Sequence, residues 1–163
     1  MVLISFFIVA AFVAHSQTKA ADPAAAIRKN NLGVAYMNQQ RMAQALELFR
    51  EAQKINPKLA VARLNEGIAL LNLQRTAQAR VVLLDAAKRM PENPRVWYNL
   101  GLLYKNSNDV DEGIAAFEQA AKLAPEDADA QYFIGTLLVQ AQRFDEAIAA
   151  FARAIKLNPF HVS

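Results

Sequence analysis

The 163-residue chain is predicted to be all-α, a solenoid of four helix–turn–helix units. Three observations predict it. Glycine recurs at Gly33, Gly67, Gly101 and Gly135, proline at Pro57, Pro91, Pro125 and Pro159, and alanine at Ala52, Ala86, Ala120 and Ala154, all with one 34-residue step. A fixed period of this size marks stacked supersecondary units, none of which buries its apolar face alone. Within each unit apolar residues step by three and four, break at a polar stretch, and resume, which is the pattern of two amphipathic helices.

The first twenty residues stand outside the repeats. Val2 to Ala14 is an apolar run, and no charged side chain precedes Lys19. Thirteen residues are short of the roughly 20 that span a bilayer but fit the apolar core of a secretory signal. Ala14-His15-Ser16 offers small residues where a signal peptidase reads them, and Thr18-Lys19-Ala20 offers a second site. Residues 1–20 are therefore read as a signal peptide or an uncleaved membrane anchor, and 21–25 as a linker. The chain is expected to be exported, periplasmic or secreted, with the membrane as a partner only if that segment stays attached.

Four units follow, at 26–59, 60–93, 94–127 and 128–161, with 162–163 as a tail. The third shows the logic most openly. Trp97, Leu100, Leu103 and Tyr104 mark one helical face, Asn106-Ser107-Asn108-Asp109 interrupts it, and Ile114, Phe117 and Ala121 mark a second. Asp109 with Glu112 three residues on reads as a capping box for the second helix. Pro125 ends that helix, since proline lacks the amide and disfavours helix in the residue before it. Small residues at the eighth, twentieth and twenty-seventh slots let the two helices of a hairpin approach. Phe49, Phe117 and Phe151 are expected to fill the space between hairpins. Glu66 stands where the other units carry Leu32, Leu100 and Ile134, and is expected to pair with Arg63 one turn earlier and to face a neighbouring helix.

The 34-residue unit with Trp97, Leu100, Gly101, Tyr104, Gly113, Phe117, Ala120 and Pro125 resembles the tetratricopeptide repeat. The first unit matches through Leu32, Gly33, Tyr36, Ala45, Phe49, Ala52 and Pro57. The fourth matches through Ile134, Gly135, Leu138, Ala147, Phe151, Ala154 and Pro159, and the second departs most, with Arg63, Glu66 and Leu83. The resemblance implies a right-handed superhelix. In such arrays the first helix of each repeat lines a concave groove through slots two, five, six, nine, twelve and thirteen.

Composition narrows the chemistry. The chain has no cysteine, which excludes disulfides and thiolate chemistry, and its histidines, His15 and His161, lie near opposite ends. None of its serines, Ser5, Ser16, Ser107 and Ser163, has a histidine beside it in a repeat, and there is no glycine-rich phosphate loop. The pairs Asp111-Glu112 and Asp145-Glu146 recur at the start of second helices, where negative charge complements the helix dipole. No catalytic residue, metal or cofactor is assigned. Net charge is +3 overall and runs from +4 in the first unit through +2 and −3 to 0 in the fourth, too modest an excess to point to nucleic acid.

The expected function is a non-enzymatic protein–protein interaction scaffold that holds a peptide or protein segment in the groove. The competing reading is an accessory repeat domain of a larger exported enzyme or receptor. Two rows of carboxamides carry the groove assignment: Asn31, Asn65 and Asn99 at slot six, and Asn38, Asn72, Asn106 and Gln140 at slot thirteen. A carboxamide donates and accepts, so a row of them can bind the backbone of an extended chain whatever its side chains. In the repeat superhelix of O-linked N-acetylglucosamine transferases slot-six asparagines form such a ladder, and this array looks similar over three units. Arg95, Tyr98, Lys105 and Tyr132 complete the peptide-binding set. The carboxylate clamp of chaperone cofactors in this family is not expected, because Asn30, Val34, Asn65, Arg95 and Asn99 match it only at Asn65, with Arg95 a stand-in. Finally, Ile148, Phe151, Ile155 and Leu157 have no following unit over them, which predicts a reading frame that continues past Ser163 or self-association through repeat four.

Overall fold

Prolines and short polar caps cut the chain into eight helices. The computed structural model describes residues 22–159. Helix α1 spans Pro23–Asn38, α2 Met42–Ile55, α3 Ala60–Asn72, α4 Thr76–Arg89, α5 Pro94–Ser107, α6 Val110–Leu123, α7 Ala128–Gln140 and α8 Phe144–Leu157. Three of the four first helices begin at side-chain caps: Asp22 accepts from the Ala25 amide, Asn93 from Arg95 and Asp127 from Asp129, and Pro23 and Pro94 add the fixed φ suited to a first turn, whereas α3 starts after Leu59 without one. The Asp22 cap starts α1 at Pro23, so residues 23–25, assigned to a linker on sequence grounds, are helical.

Each hairpin turns through a left-handed residue that is not glycine, namely Gln40, Gln74, Asn108 and Gln142. Each second helix stops before its proline. The residue preceding proline is pushed out of the helical region, as at Asn56, where φ is −134° and ψ 93°, and at Asn158, with φ −143° and ψ 96°.

The capping box read at Asp109 does not form. Asp109 occupies the N-cap position of α6 without a side-chain bond to that helix, because its carboxylate is taken by Arg80 of α4. Arg80 also lies over the Tyr104 ring at 5.1 Å, so the pairing ties the second repeat to the third. A partner 29 residues away outbid the local amide.

Within a hairpin the helices meet at glycine. A Cβ on Gly33 would come within 2.6 Å of the Phe49 ring, and one on Gly101 within 2.7 Å of Phe117. These phenylalanines therefore seat first on their own hairpin and not only between hairpins. Phe117 does both, since its ring stacks on Phe133 of the next repeat with centroids 5.1 Å apart. Two adjoining cores result, one around Phe49, Leu64, Leu83 and Leu100, the other around Phe117, Ile134 and Leu137. Second helices pack on the first helix of the following repeat, and α1 touches α3 as α3 touches α5. First helices thus lie on the inner side of the array.

Candidate functional site: the inner face of the first helices

At slot five the inner face carries Asn30, Leu64, Tyr98 and Tyr132, and at slot six Asn31, Asn65, Asn99 and Phe133. The slot-six amides are partly spent within the protein. Asn65, only 3% exposed, donates through Nδ2 to Asn30 Oδ1 at 2.9 Å, and Asn30 donates to Asn31 Oδ1 at 3.3 Å. Asn99, 9% exposed, donates to the carbonyl of Arg95 in its own helix at 2.7 Å. Among the described residues no buried side-chain polar atom lacks a partner.

The slot-thirteen row is different, because Asn38, Asn72, Asn106 and Gln140 are all exposed. Asn72 donates to the Ile68 carbonyl at 2.9 Å, and Gln140 to Asn108 Oδ1 at 2.5 Å across the repeat boundary. An open cleft of about 680 Å3 lies at this rim, lined by Gln40, Arg41, Gln44, Asn72 and Leu73. The structure thus buries Asn65 and Asn99 of slot six, leaves Asn31 of that slot exposed, and exposes all of slot thirteen, where the sequence suggested two equivalent rows.

The amide series ends in an aromatic group. Tyr98 meets Phe117 edge-on at 5.5 Å and Phe133 at 6.0 Å, and Tyr132 meets Phe133 at 5.6 Å and Phe151 at 5.8 Å. Lys105 Nζ stands 5.6 Å from the Phe133 ring centroid, and Arg95 is exposed on the same helix. Burial pushes the Tyr98 phenol up to about 12, and the Asp129 and Asp127 carboxylates add to the effect. Phe133 was not assigned a binding role from sequence. Its signal was there, as the one slot-six residue that is not an amide.

Glu66 lies away from this face. It is buried between α2 and α3, taking Arg50 of α2 at 3.3 Å and Arg63 at 3.0 Å, as the slot-seven reading required for Arg63. Asp111 and Glu112 lie in the first turn of α6, and Asp145 and Glu146 in that of α8. Glu146 is held by a two-bond pairing with Arg143, both bonds at 2.7 Å. The apolar run Val2–Ala14 and both histidines lie outside the described residues. Among the described residues no helix is long and apolar enough to cross a membrane.

A tetratricopeptide-repeat family model matches residues 10–60 and 101–162, and a second tetratricopeptide-repeat model matches 36–103. The chain is similar to MamA (41-end) from Desulfovibrio magneticus RS-1, with 25% identity, 88% of this chain and 79% of that one covered, and a TM-score of 0.77. It is also similar in fold to a second MamA structure, at 24% identity over 85% of this chain and 81% of that one with a TM-score of 0.79. YrrB, described as a tetratricopeptide-repeat protein with an unusual peptide-binding site, aligns at 21% identity over 86% and 72% with a TM-score of 0.74. No curated protein sequence matches. With its period, its glycine-to-aromatic hairpin contacts and matches over most of its length, the chain belongs to the tetratricopeptide-repeat family, an α-solenoid that serves as a scaffold for protein–protein interaction.

Proposed function

We propose that the array works without catalysis, holding an extended segment of a protein partner along its inner face. The observation that carries this reading is the row of four exposed carboxamides at one slot of every repeat, Asn38, Asn72, Asn106 and Gln140. Amides at a constant interval suit a ligand whose own hydrogen-bonding groups repeat, which is a peptide backbone. Asn31, the exposed amide of slot six, extends the series at the first repeat. At the third and fourth repeats Tyr98, Tyr132 and Phe133 form an apolar wall with Lys105 and Arg95 beside it. That end takes an aromatic or aliphatic side chain followed by a carboxylate. The apolar run Val2–Ala14 supports an exported protein, which N-terminal sequencing of the chain recovered from a cell envelope tests.

A displayed library of random peptides supplies the probe. Selected peptides should carry an apolar residue near an acidic one, and their affinity should fall at least tenfold in the triple variant Asn38→Ala/Asn72→Ala/Asn106→Ala, given about 1 kcal/mol per lost bond. Peptides that bind the triple variant and Lys105→Glu as tightly as the parent protein would overturn the reading.

A further inference from the structure

The second helices α2, α4 and α6 receive the next repeat, and α8 presents the corresponding slots to solvent. Slot twenty-one is Leu46 in α2, 1% exposed, and Ile114 in α6, also buried, whereas Ile148 in α8 is 67% exposed. At slot twenty-eight Ala87 and Ala121 are buried, and Ile155 is 46% exposed. The opposite end of the array shows the complementary surface. Slot seven is buried beneath the preceding repeat at Glu66, Leu100 and Ile134, but Leu32 in α1 is 48% exposed. Slot ten is buried at Ala69, Leu103 and Leu137, yet Ala35 is exposed. Among the described residues, one end is a surface of the kind that receives a first helix, and the other is a first helix whose slots seven and ten are exposed.

We propose that a second copy of this chain fills that surface, with α1 of one copy on α8 of the next, so that the array continues from molecule to molecule. The register follows from the internal boundaries. Gln53 at slot twenty-eight donates to the Leu59 carbonyl just before the next repeat, Arg50 at slot twenty-five pairs with Glu66 at slot seven, and Arg80 at slot twenty-one lies over Tyr104 at slot eleven. Carried over to the junction between copies, Ile155 lies beside Ala25 of the second copy, Ala152 against Leu32 of the second copy, and Ile148 over Tyr36 of the second copy. All three pairings set apolar or aromatic groups together, and none of the three α8 slots holds a charge. Arg28 at slot three is the one mismatch, since Ala62, Val96 and Ala130 are fully buried there. It pairs with Asp22, at 3.3 Å. The contact is head-to-tail, so each added copy leaves both kinds of end open.

Sedimentation of the full chain at rising concentration tests this. Species larger than the 18.0 kDa monomer should grow with concentration. Ile148→Glu and Leu32→Glu should each be monomeric alone, and both should keep their helicity because both sites are exposed. An equimolar mixture of the two has one intact pair of faces per two molecules and should stop at dimers. That complementation separates a head-to-tail contact from other associations. A Leu32→Glu protein that associates like the parent would show α8 meeting α8, and association surviving both substitutions would place it elsewhere, in the apolar run Val2–Ala14. A parent protein that stays monomeric would show the faces covered within the chain or not used. Any of these three overturns the proposal.

Discussion

Arg50 of α2 holds Glu66 of α3 across the first repeat boundary, Nε to Oε1 at 3.3 Å, and the other carboxylate oxygen takes Arg63 at 3.0 Å. Arg63 also binds Asp85 at 2.7 Å, which in turn takes Arg89 at 3.0 Å, so one chain of charges runs over the three helices α2, α3 and α4. The Glu66 side chain is 7% exposed. A buried carboxylate with both oxygens engaged is expensive to strand and cheap to replace. Arg50→Ala/Arg63→Ala should therefore cost about 3–5 kcal/mol. Glu66→Leu, which restores the residue type of Leu32 and Leu100, should stay within about 1 kcal/mol of the parent. Urea unfolding of the two variants checks the contrast, and equal losses would contradict it.

Glycine at slot eight sits beside an aromatic ring in three repeats, but the rings differ in freedom. Phe117, which a Cβ on Gly101 would meet at 2.7 Å, is fully buried and stacked on Phe133. Phe151, at the same distance from a Cβ on Gly135, is partly exposed at the end of the array and can swing aside. Gly101→Ala should destabilise by about 1–3 kcal/mol through overpacking. Gly135→Ala should be near neutral, because the gain in helix propensity of about 1 kcal/mol offsets a small rearrangement. Thermal unfolding of both proteins reads the difference.

Tyr98 gives the groove a pH signature. Its phenol is pushed up to about 12 by burial, with Asp129 and Asp127 adding to it, against about 10 in the unfolded chain. The folded pKa lies above the unfolded one, so this stabilisation is full below about pH 10 and is lost as pH rises toward 12. Tyr98→Phe should remove the latest step from the tyrosinate absorbance titration of the folded protein and flatten the fall of stability over that window. An unchanged titration would mean that Tyr98 is freely solvated.

How much of this could be read from the sequence depends on how far apart the partners lie along it. The hairpins, their turns and the exposed α8 face were legible because a 34-residue period repeats the local rules of capping, small residues and proline four times over. Exposure of Ile148, Ile155 and Leu157 follows from position in the array alone. What escaped was pairing between repeats. Asp109 had a plausible local amide and chose Arg80, Glu66 acquired Arg50 from 16 residues away, and Asn65 found Asn30 35 residues away. Such choices depend on the crossing of neighbouring helices, which periodicity does not specify. The two amide rows looked alike on a helical wheel, and only the packing of neighbouring repeats buries Asn65 and Asn99 while leaving Asn31 and the slot-thirteen amides exposed.

That difference between the rows sets the last prediction. Asn65 Nδ2 is the donor to Asn30 Oδ1, and both residues are buried, so Asn65→Ala leaves a buried carbonyl oxygen without its partner. The expected loss is about 1–3 kcal/mol. Asn99 bonds only to the Arg95 carbonyl of its own helix, which already accepts a helical bond, so Asn99→Ala should cost less than about 1 kcal/mol, helped by the better helix former. Asn72 is exposed, and Asn72→Ala should leave stability within about 0.5 kcal/mol. The pair Asn30→Ala/Asn65→Ala should lose less than the sum of the single changes, because the second substitution removes the oxygen that the first one stranded. Peptide affinity should follow the opposite order, falling with the exposed slot-thirteen amides and little with Asn65, whose donor is already committed inside the protein. If Asn65→Ala were harmless to folding while abolishing peptide binding, the buried row would be the reading edge of the groove and the exposed row its solvated rim.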